Sequence, residues 1–439
     1  MPSPSVYVLV LNWNGQEHLK ECIPSLLAST YESLRVLLVD GASTDRSVQY
    51  VRETFGSDSR VEIVVCSGNL GWPKGNNVGL RKILETDADY IVLLNNDTII
   101  QADALAKLVQ MAEARPEIGA LNPKILFYHH RNLINSLGLE CSIIGCGWDR
   151  AFGRLDGPHW SAPQAVIGAS GAALFLRRSA LEKTGLLEED FEYYLEDLDL
   201  GLRLWNAGYE IWTCPEAVVY HKFSATLGRP ERFQDKYFYN ARNRLYIILR
   251  HFPWSTSLVV IPASKVGELR AIGRAVLDGE FWKLRSHVRA WRHSAAYLPK
   301  AFRYRRQTRK SGVAQCRFWH LVRKDRMFFP GVEFPDDGWY RPVEFRGCRV
   351  RPMSGRAWYR SDGRKLRVTH ANCYPDVGLT HVEVYSEGTL LASLQTSDIT
   401  ETVLDAPAGV LEFLAKQIFR AEETGERGDF GGWIGITPL

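Results

Sequence analysis

The chain has 439 residues, of which 45% are hydrophobic and 24% are charged, and these proportions exclude a disordered or fibrous protein. Its length predicts about two to four domains. The eight cysteines form no CxxC pair, which argues against a zinc ribbon and a disulfide framework. We see no signal peptide, and the longest later apolar run, around "SLVVIPA", is too short to span a bilayer, so we expect a cytoplasmic protein.

The first half of the chain alternates between two kinds of pattern. Continuous β-rich runs predict strands at 6–11, 35–40, 61–66 and 90–95. Helical spacing of apolar residues predicts helices at 17–28, 45–55, 75–86 and 102–114. Short buried strands separated by helices of this length are typical of βαβ units, so we predict an α/β fold with a mostly parallel sheet.

Each of the four predicted strands ends in polar or flexible residues. The four ends are Asn12–Gly15, Asp40–Ser43, Ser67–Asn69 and Asn95–Asp97. One such end is explained equally well by a capped turn. Right-handed crossovers, however, place all four ends on one edge of the sheet, where open α/β sheets bind ligands.

The residues at this edge narrow the choice of ligand. Neither GxGxxG nor GxxxxGK[ST] follows the first strand, which argues against a dinucleotide fingerprint and a P-loop. Asp40 could accept hydrogen bonds from a ribose or a base. Asp97 could bind a divalent cation that neutralises a diphosphate. A nucleotide diphosphate held with a metal fits both carboxylates.

A second group of polar residues follows in the middle of the chain. Residues 168–185 read as a small-residue turn, a strand and a short helix, and a further helix begins near Leu195 with Glu196 and Asp197 in its first turn. Two strand-like runs then end at His221. Taken singly, acidic residues at a helix start are more often an N-cap than a catalytic base, and a lone histidine is more often structural than a ligand.

Read in order, these segments resemble the family 2 glycosyltransferases, which have the GT-A fold and transfer sugars from nucleotide diphosphates. The resemblance covers roughly residues 5–250 and is closest to the bacterial rhamnosyltransferases and galactofuranosyltransferases of cell-surface polysaccharides. The motifs that carry it are "VLNWNG", "LLVDGASTDRS", "GNLGWPKGNNVGL", "VLLNNDT", "GASGAALFLRR", "YYLEDLDLGLRLWNAGY" and "VVYHKFSAT".

The resemblance implies a donor site at the strand ends. The metal-binding DxD of the family corresponds to residues 95–97, where only Asp97 is acidic, so Asp97 is the implied ligand of Mg²⁺ or Mn²⁺. His221 matches the histidine that completes this metal site. Asp40 matches the acid that contacts the nucleobase and ribose. The residues implied beside the nucleotide are Asn12, Asn14, Asn69 and Asn96.

The resemblance also implies an acceptor site. Asp197 matches the aspartate that acts as general base on the acceptor hydroxyl in inverting members. Glu196 belongs to the same acidic pair. Arg203, about two helical turns beyond Asp197, could face the diphosphate or the acceptor, and a surface arginine explains its spacing equally well.

Composition changes along the chain, and these changes predict three domains at 1–235, 236–328 and 329–439. Between Lys265 and Arg326 basic residues outnumber acidic ones seventeen to four, which indicates an anionic partner. No nucleic-acid-binding motif accompanies this charge, so we expect no nucleic acid. The last domain shows short runs that alternate apolar and polar residues, which predict an antiparallel β-sandwich. Its expected role is carbohydrate binding or assembly, or equally stability or dimerisation.

An apolar stripe runs along the predicted helix 281–303, with basic residues beside it. Such a helix either lies on an anionic membrane surface or packs on the catalytic domain with its basic face in solvent. The residues of the stripe are Phe281, Leu284, Val288, Trp291, Ala295, Leu298 and Phe302.

We therefore predict an inverting, metal-assisted glycosyltransferase, peripheral on the inner face of the bacterial inner membrane. Its expected donor is dTDP-rhamnose or a UDP-sugar such as UDP-galactofuranose, and its acceptor is a lipid-linked or polysaccharide glycan. Two alternatives remain open. A sugar nucleotidyltransferase would need a Gly-rich basic loop after the first strand, which "NWNGQEHLK" does not supply. An inactive glycan-binding or scaffold subunit is suggested by the incomplete DxD.

Overall fold

The computed structural model describes most of the chain. The residues described are 3–128, 131, 134–152, 154, 156–222, 230–277, 281–310, 316–324, 343–345, 348–353, 356–371, 380–397, 399–415 and 432–438. They belong to two compact units. The first comprises residues 1–131, 135–150 and 157–328, and the second comprises residues 132–134, 151–156 and 329–439.

The first half of the first unit alternates strands and helices as predicted. Its elements begin with β1 Val6–Asn12, α1 Gln16–Leu27, β2 Leu34–Asp40, α2 Ser47–Phe55, β3 Val61–Val65, α3 Trp72–Leu84, β4 Tyr90–Asn95, β5 Thr98–Ile100 and α4 Ala104–Ala114. They continue with β6 Ile118–Phe127, β7 Ile134–Ser136, β8 Leu139–Cys141, β9 Gly147–Asp149, β10 Ala173–Arg177, α5 Arg178–Thr184, α6 Glu196–Asn206 and β11 Glu210–His221.

One mixed sheet organises these elements. Its strand order is β3-β2-β1-β4-β10-β6-β11-β5, and β7 pairs with β6. The strands β1 to β4 are mutually parallel, whereas β10 runs antiparallel to β4 and β6. The register pairs Asn12 with Asp40 and Leu11 with Asn95, so the polar ends of β1, β2 and β4 lie side by side. The predicted α/β class of fold, with its mostly parallel sheet, is confirmed.

The strands are apolar on both faces because each face of the sheet is covered. On β1, Val8 and Val10 face the core formed with α1, α2 and α4, and Leu9 faces the core formed with α3, α5 and α6. This arrangement explains why β1, β2 and β4 appear in the sequence as continuous hydrophobic runs.

Three long helices complete the first unit: α7 Pro230–His251, α8 Trp254–Leu277 and α9 Phe281–Lys310. They are packed onto the sheet domain, because Tyr246, Ile248 and Phe252 belong to the same buried core as α3 and α6. Among the described residues, no helix is both long enough and apolar enough to cross a bilayer.

Helix α9 does not bury the face that its sequence suggests. Its buried residues include His287, Ser294 and Tyr297. The predicted apolar stripe instead leaves Phe281 and Phe302 more than half exposed. Hydrogen bonding explains the difference in part, since the phenol of Tyr237 on α7 lies 2.8 Å from Nε2 of His287.

The second unit consists of short antiparallel strands. They are β12 Val343–Phe345, β13 Cys348–Met353, β14 Arg356–Asp362, β15 Lys365–Ala371, β16 Thr380–Ser386, β17 Thr389–Thr396, β18 Ile399–Asp405, β19 Ala408–Ala415 and β20 Gly432–Pro438. Two sheets, ordered β12-β13-β20-β15-β18 and β14-β19-β16-β17, share one apolar core that includes Val368, Val384 and Phe413. The predicted small antiparallel β-domain is confirmed.

Candidate active site

A chain of amide and carboxylate hydrogen bonds joins three of the predicted site residues at the strand ends. Asn12 Nδ2 donates to Asp40 Oδ2 at 2.8 Å, and Asn96 Nδ2 donates to Asn12 Oδ1 at 2.6 Å. Ser43 also donates to Asp40 through its backbone N–H, at 2.8 Å. The structure therefore brings Asn12, Asp40 and Asn96 into one buried network.

Gly15 allows this network to form. A Cβ atom at Gly15 would lie 2.2 Å from Nδ2 of Asn96 and 2.5 Å from Oδ1 of Asn12. Only glycine leaves room for the two amides to meet in front of the α1 N-terminus.

Asn14 and Asn69 shape the loops around this network. Asn14 has a positive φ of 50°, and its Oδ1 accepts a hydrogen bond from the backbone N–H of Thr44 at 2.7 Å. Asn69 Oδ1 accepts from the backbone N–H of Gly71 at 3.0 Å. Each uses its carbonyl oxygen to hold its loop, and a direct contact with a nucleotide stays a prediction for both.

Asp97 and His221 form the second part of this edge. Strand β11 pairs antiparallel with β5 and places His221 opposite Thr98, next to Asp97. His221 Nε2 lies 3.2 Å from Asp97 Oδ1, and its Nδ1 lies 2.8 Å from Oδ1 of Asn135. Burial raises the pKa of the Asp97 carboxyl, but His221 and then His18 outweigh it and hold that pKa below its usual value.

This geometry fits a bound cation. An amide oxygen accepts hydrogen bonds, so Nδ1 of His221 donates to Asn135 Oδ1 and Nε2 is the ring nitrogen that faces the Asp97 carboxylate. A cation bound here would take the place of the proton between Nε2 and Oδ1. Among the described residues, no group of three or more His, Cys, Asp or Glu side chains is placed to hold a metal ion. Asp97 and His221 would therefore supply two ligands of a cation bound here, and their role as metal ligands stays a prediction.

Asp197 lies at the start of α6 and is held by backbone donors. Its Oδ2 accepts from the N–H of Gly171 at 3.0 Å, and its Oδ1 accepts from the N–H of Leu198 at 2.8 Å. Burial raises the pKa of the Asp197 carboxyl to about 6. The charge of Asp149 on β9 also raises this pKa, whereas the hydrogen bond from the Gly171 N–H lowers it. A carboxylate with this pKa is suited to accept a proton near neutral pH.

Glu196 is the buried neighbour of this carboxylate. It is 8% exposed, and its Oε2 has no hydrogen-bond partner. Burial, together with the charge of Asp197, raises the pKa of Glu196 well above its usual value. Glu196 therefore holds its proton more strongly than an ordinary glutamate does.

Trp72 connects the two parts of the site. Its Nε1 donates to Asn95 Oδ1, at the end of β4, at 3.2 Å. Its ring packs on Gly171, where a Cβ atom would lie only 2.8 Å from Cζ2 of Trp72. Since Gly171 donates to Asp197, these contacts place Asp197 beside the carboxyl ends of the strands.

The loop before α6 has a strained backbone that α7 holds in place. Glu192, Tyr194 and Leu195 have φ values of 59°, 68° and 67°, in the left-handed region that is unfavourable for side chains of this size. Arg242 donates to the carbonyls of Asp190 and Phe191 and to the carboxylate of Glu192. Asn243 Nδ2 lies 2.7 Å from each of the carbonyls of Tyr193 and Tyr194.

Arg203 has contacts that do not support its expected role. It is buried, its Nε donates to Asp199 Oδ2 at 2.8 Å, and its Nη1 donates to the carbonyls of Thr184 and Gly185. Asp199 also binds Arg250 and His251. These contacts join α6 to α5 and α7, so we assign Arg203 to the packing of the domain.

Several residues of this site were missed by sequence reasoning. Trp72 and Gly171 lie inside the motifs "GNLGWPKGNNVGL" and "GASGAALFLRR", so the motifs were the available signal. Asn135, Arg242 and Asn243 act through contacts distant along the chain, and no local pattern marks them.

Comparison with known proteins identifies the family of the sheet domain. The model of the family "Glycosyl transferase family 2" matches residues 7–184. The N-acetylglucosaminyl-diphospho-decaprenol L-rhamnosyltransferase of Mycobacterium tuberculosis is 28% identical over 244 residues, which are 51% of this chain and 77% of that protein. The O-antigen biosynthesis protein RfbC of Myxococcus xanthus is 23% identical over 354 residues, which are 75% of this chain and only 27% of that protein.

Solved structures show a weaker similarity. S. aureus TarS 1-349 aligns with 80% of this chain and 96% of its own, with 15% identity and a TM-score of 0.44. The assignment rests on the sequence matches and on the motifs at the strand ends. This chain carries a glycosyl transferase family 2 domain over residues 7–184 and is a glycosyltransferase.

Proposed function

We propose that this enzyme is an inverting glycosyltransferase, assisted by a divalent cation, that acts in the synthesis of bacterial cell-surface glycans. Its donor is a nucleotide diphosphate sugar. Our first candidate for this donor is dTDP-rhamnose, and our second is a UDP-sugar. Its acceptor is a lipid-linked or polysaccharide glycan at the cytoplasmic face of the inner membrane. The name of the mycobacterial relative, an N-acetylglucosaminyl-diphospho-decaprenol L-rhamnosyltransferase, supports the rhamnose donor and the lipid-linked acceptor.

The observation that carries this proposal is the path of contacts from Asn95 through Trp72 and Gly171 to Asp197. It sets a carboxylate with a raised pKa beside the strand ends that hold Asp40 and Asp97. A single displacement at an anomeric carbon needs this pairing: a base on the acceptor side and a charged binding site on the side of the leaving group.

The proposed step uses these residues as follows. The acceptor hydroxyl oxygen attacks the anomeric carbon while its proton passes to the Asp197 carboxylate. The bond between the anomeric carbon and the diphosphate oxygen breaks, and the diphosphate leaves with the electron pair. Asp40 and Asn12 orient the nucleoside. A cation bound by Asp97 and His221 would supply positive charge for the diphosphate.

Calorimetric titration tests the donor site. We would titrate dTDP and UDP, each with and without Mn²⁺, into the wild type, Asp97→Ala and Asp87→Ala. Asp87 is an exposed aspartate in the turn before β4 and serves as the matched control. We expect metal-dependent binding that Asp97→Ala abolishes and Asp87→Ala preserves.

Other outcomes would change the proposal. Binding that is identical with and without Mn²⁺ would contradict the role of the cation. If folded wild-type protein binds neither nucleotide, the proposed donor site is wrong and the glycan-binding scaffold becomes the better reading.

A further inference from the structure

Helix α8 has an apolar face that no part of the described chain covers. Five large aliphatic side chains on this helix are between 51% and 87% exposed: Leu258, Val259, Val266, Leu269 and Leu277. These residues follow each other at spacings close to one or two helical turns, so they lie along one side of the helix. Exposed apolar patches on this scale mark interaction sites.

The opposite side of α8 is the side that packs. Val260, Ser264, Glu268, Ile272 and Ala275 are buried and follow each other at spacings of three or four. Because this second stripe faces the rest of the first unit, the aliphatic stripe faces outward. With 24 residues, α8 is about 36 Å long, so the exposed stripe is long as well as apolar.

The helix beside α8 carries charge of one sign. Helix α9 has ten Lys and Arg residues and no Asp or Glu. It contacts α8 directly, since the ring of Phe302 stacks on that of Trp254 with centroids 5.3 Å apart. Arg303 and Arg306, next to Phe302, are exposed.

We propose that the exposed face of α8, with the basic residues of α9 beside it, docks the enzyme on an anionic lipid bilayer. An apolar stripe that enters the interface and arginines that bind anionic headgroups are the two components of such docking. The purpose of this contact rests on the proposed lipid-linked acceptor. The contact itself can be measured without donor or acceptor.

The charge of α9 favours a bilayer over a second copy of the chain. A symmetric dimer formed through α8 would bring two α9 helices of like charge towards each other, and like charges oppose association. An anionic bilayer attracts the same charge, and each basic residue near the surface increases the binding constant by about fivefold.

Vesicle co-sedimentation of the full chain tests the proposal. The vesicles would be phosphatidylcholine alone or phosphatidylcholine mixed with phosphatidylglycerol. We expect the wild type to bind the anionic vesicles and to bind the neutral ones more weakly. The variant Leu258→Gln/Val266→Gln/Leu269→Gln should bind the anionic vesicles on the order of a hundredfold more weakly, since each lost side chain removes up to about tenfold.

A matched control uses exposed aliphatic residues of the second unit. Leu390 and Val403 are 50% and 55% exposed, so Leu390→Gln/Val403→Gln removes similar side chains elsewhere and should leave vesicle binding unchanged. A second variant replaces three exposed arginines of α9, Arg292→Gln/Arg303→Gln/Arg306→Gln, and should lose the preference for anionic vesicles while keeping the weaker binding to neutral ones. Circular dichroism would verify that every variant is folded.

Three results would overturn the proposal. The first is a wild type that binds neither kind of vesicle, and the second is an α8 variant that binds as well as the wild type. The third is a dimer in light scattering that the α8 substitutions dissociate, without vesicle binding. Nucleotide titration on the α8 variant separates these results from a failure of the donor site, because nucleotide affinity should be unchanged.

Discussion

At the scale of single residues, the site depends on how neighbouring acids are held in different protonation states. Backbone N–H groups bind Asp197, while Oε2 of Glu196 has no partner, so the first carboxyl ionises far more readily than the second. Asp97 is ionised for another reason, namely the imidazole of His221 beside it. Environment alone thus gives three acidic side chains different affinities for a proton.

Replacement of Asp197 tests its role as the base. We expect Asp197→Asn to lower kcat by about 10²–10⁴-fold, because the amide cannot accept the proton. The wild type should lose kcat/KM as the pH falls through about 6, where Asp197 becomes protonated, and the variant should lose this limb of the profile. Rates across a pH series, with Asp87→Asn as the exposed control, measure both effects.

Stability gives an independent readout of the same group. Because burial raises the folded-state pKa of Asp197 above 3.8, ionisation favours the unfolded state, and the stability present at low pH is lost as the pH rises through about 6. Above that pH, Asp197→Asn should therefore be at least as stable as the wild type. A variant that is inactive because it is unfolded would contradict this assignment.

At the scale of elements, the sequence predicts what depends on local pattern. β1, β2 and β4 were found because apolar runs end abruptly at polar residues, and the parallel arrangement then placed Asp40 and Asp97 on one edge. The partner of Asp97 is different, since His221 lies more than a hundred residues away. Only the resemblance to a family linked the two before the structure did.

The prediction for α9 shows where local pattern is not enough. The apolar stripe at 281–303 was a true periodicity, yet the helix buries His287 and Ser294 on another face. Polar groups can be buried there because neighbours satisfy them: the phenol of Tyr237 lies beside His287, and Ser294 donates to the carbonyl of Ala290. Sequence periodicity does not reveal such partners.

The contacts between α7 and the loop before α6 give a prediction at this scale. We expect Arg242→Ala to lower kcat more than it changes the KM for the donor, because the loop positions Asp197 and not the strand ends. It should also lower the free energy of unfolding by about 3 kcal/mol, since buried carbonyls lose their donor. Urea denaturation and steady-state kinetics measure the two effects.

Two further variants separate position from stability. Arg242→Lys keeps a positive charge but not the planar set of donors, so it should resemble the alanine variant in kcat. Leu26→Ala removes a buried side chain from the core on the other face of the sheet and should cost about 2–5 kcal/mol without lowering kcat at permissive temperature. Equal losses of kcat in Arg242→Ala and Leu26→Ala would argue against a positioning role.

At the scale of the whole molecule, the sheet domain and the helices that follow it share one core. Tyr246, Ile248 and Phe252 of the α7 region and Tyr297 of α9 pack with residues of α3 and α6. A boundary at residue 235 remains our prediction from composition. The shared core indicates that a cut at that point exposes a large apolar surface.

Truncation tests this expectation. A fragment of residues 1–235 should be insoluble or molten, whereas a fragment of residues 1–324 should unfold cooperatively and bind nucleotide. Thermal unfolding with near-UV circular dichroism distinguishes the two. A cooperative transition in the shorter fragment would show that α7 to α9 are dispensable for the fold.

The hydrogen bonds by which Arg242 and Asn243 hold the loop before α6 also show how the proposed site is divided along the chain. The match to the family model ends at Thr184, before the proposed base Asp197 and before Arg242. The matched segment holds Asn12, Asp40 and Asp97 of the proposed donor site, and the residues after it hold the proposed base and the groups that support its loop. We therefore expect substitutions in α7 to alter the acceptor step and to leave nucleotide binding unchanged, and the Arg242 variants test this expectation first.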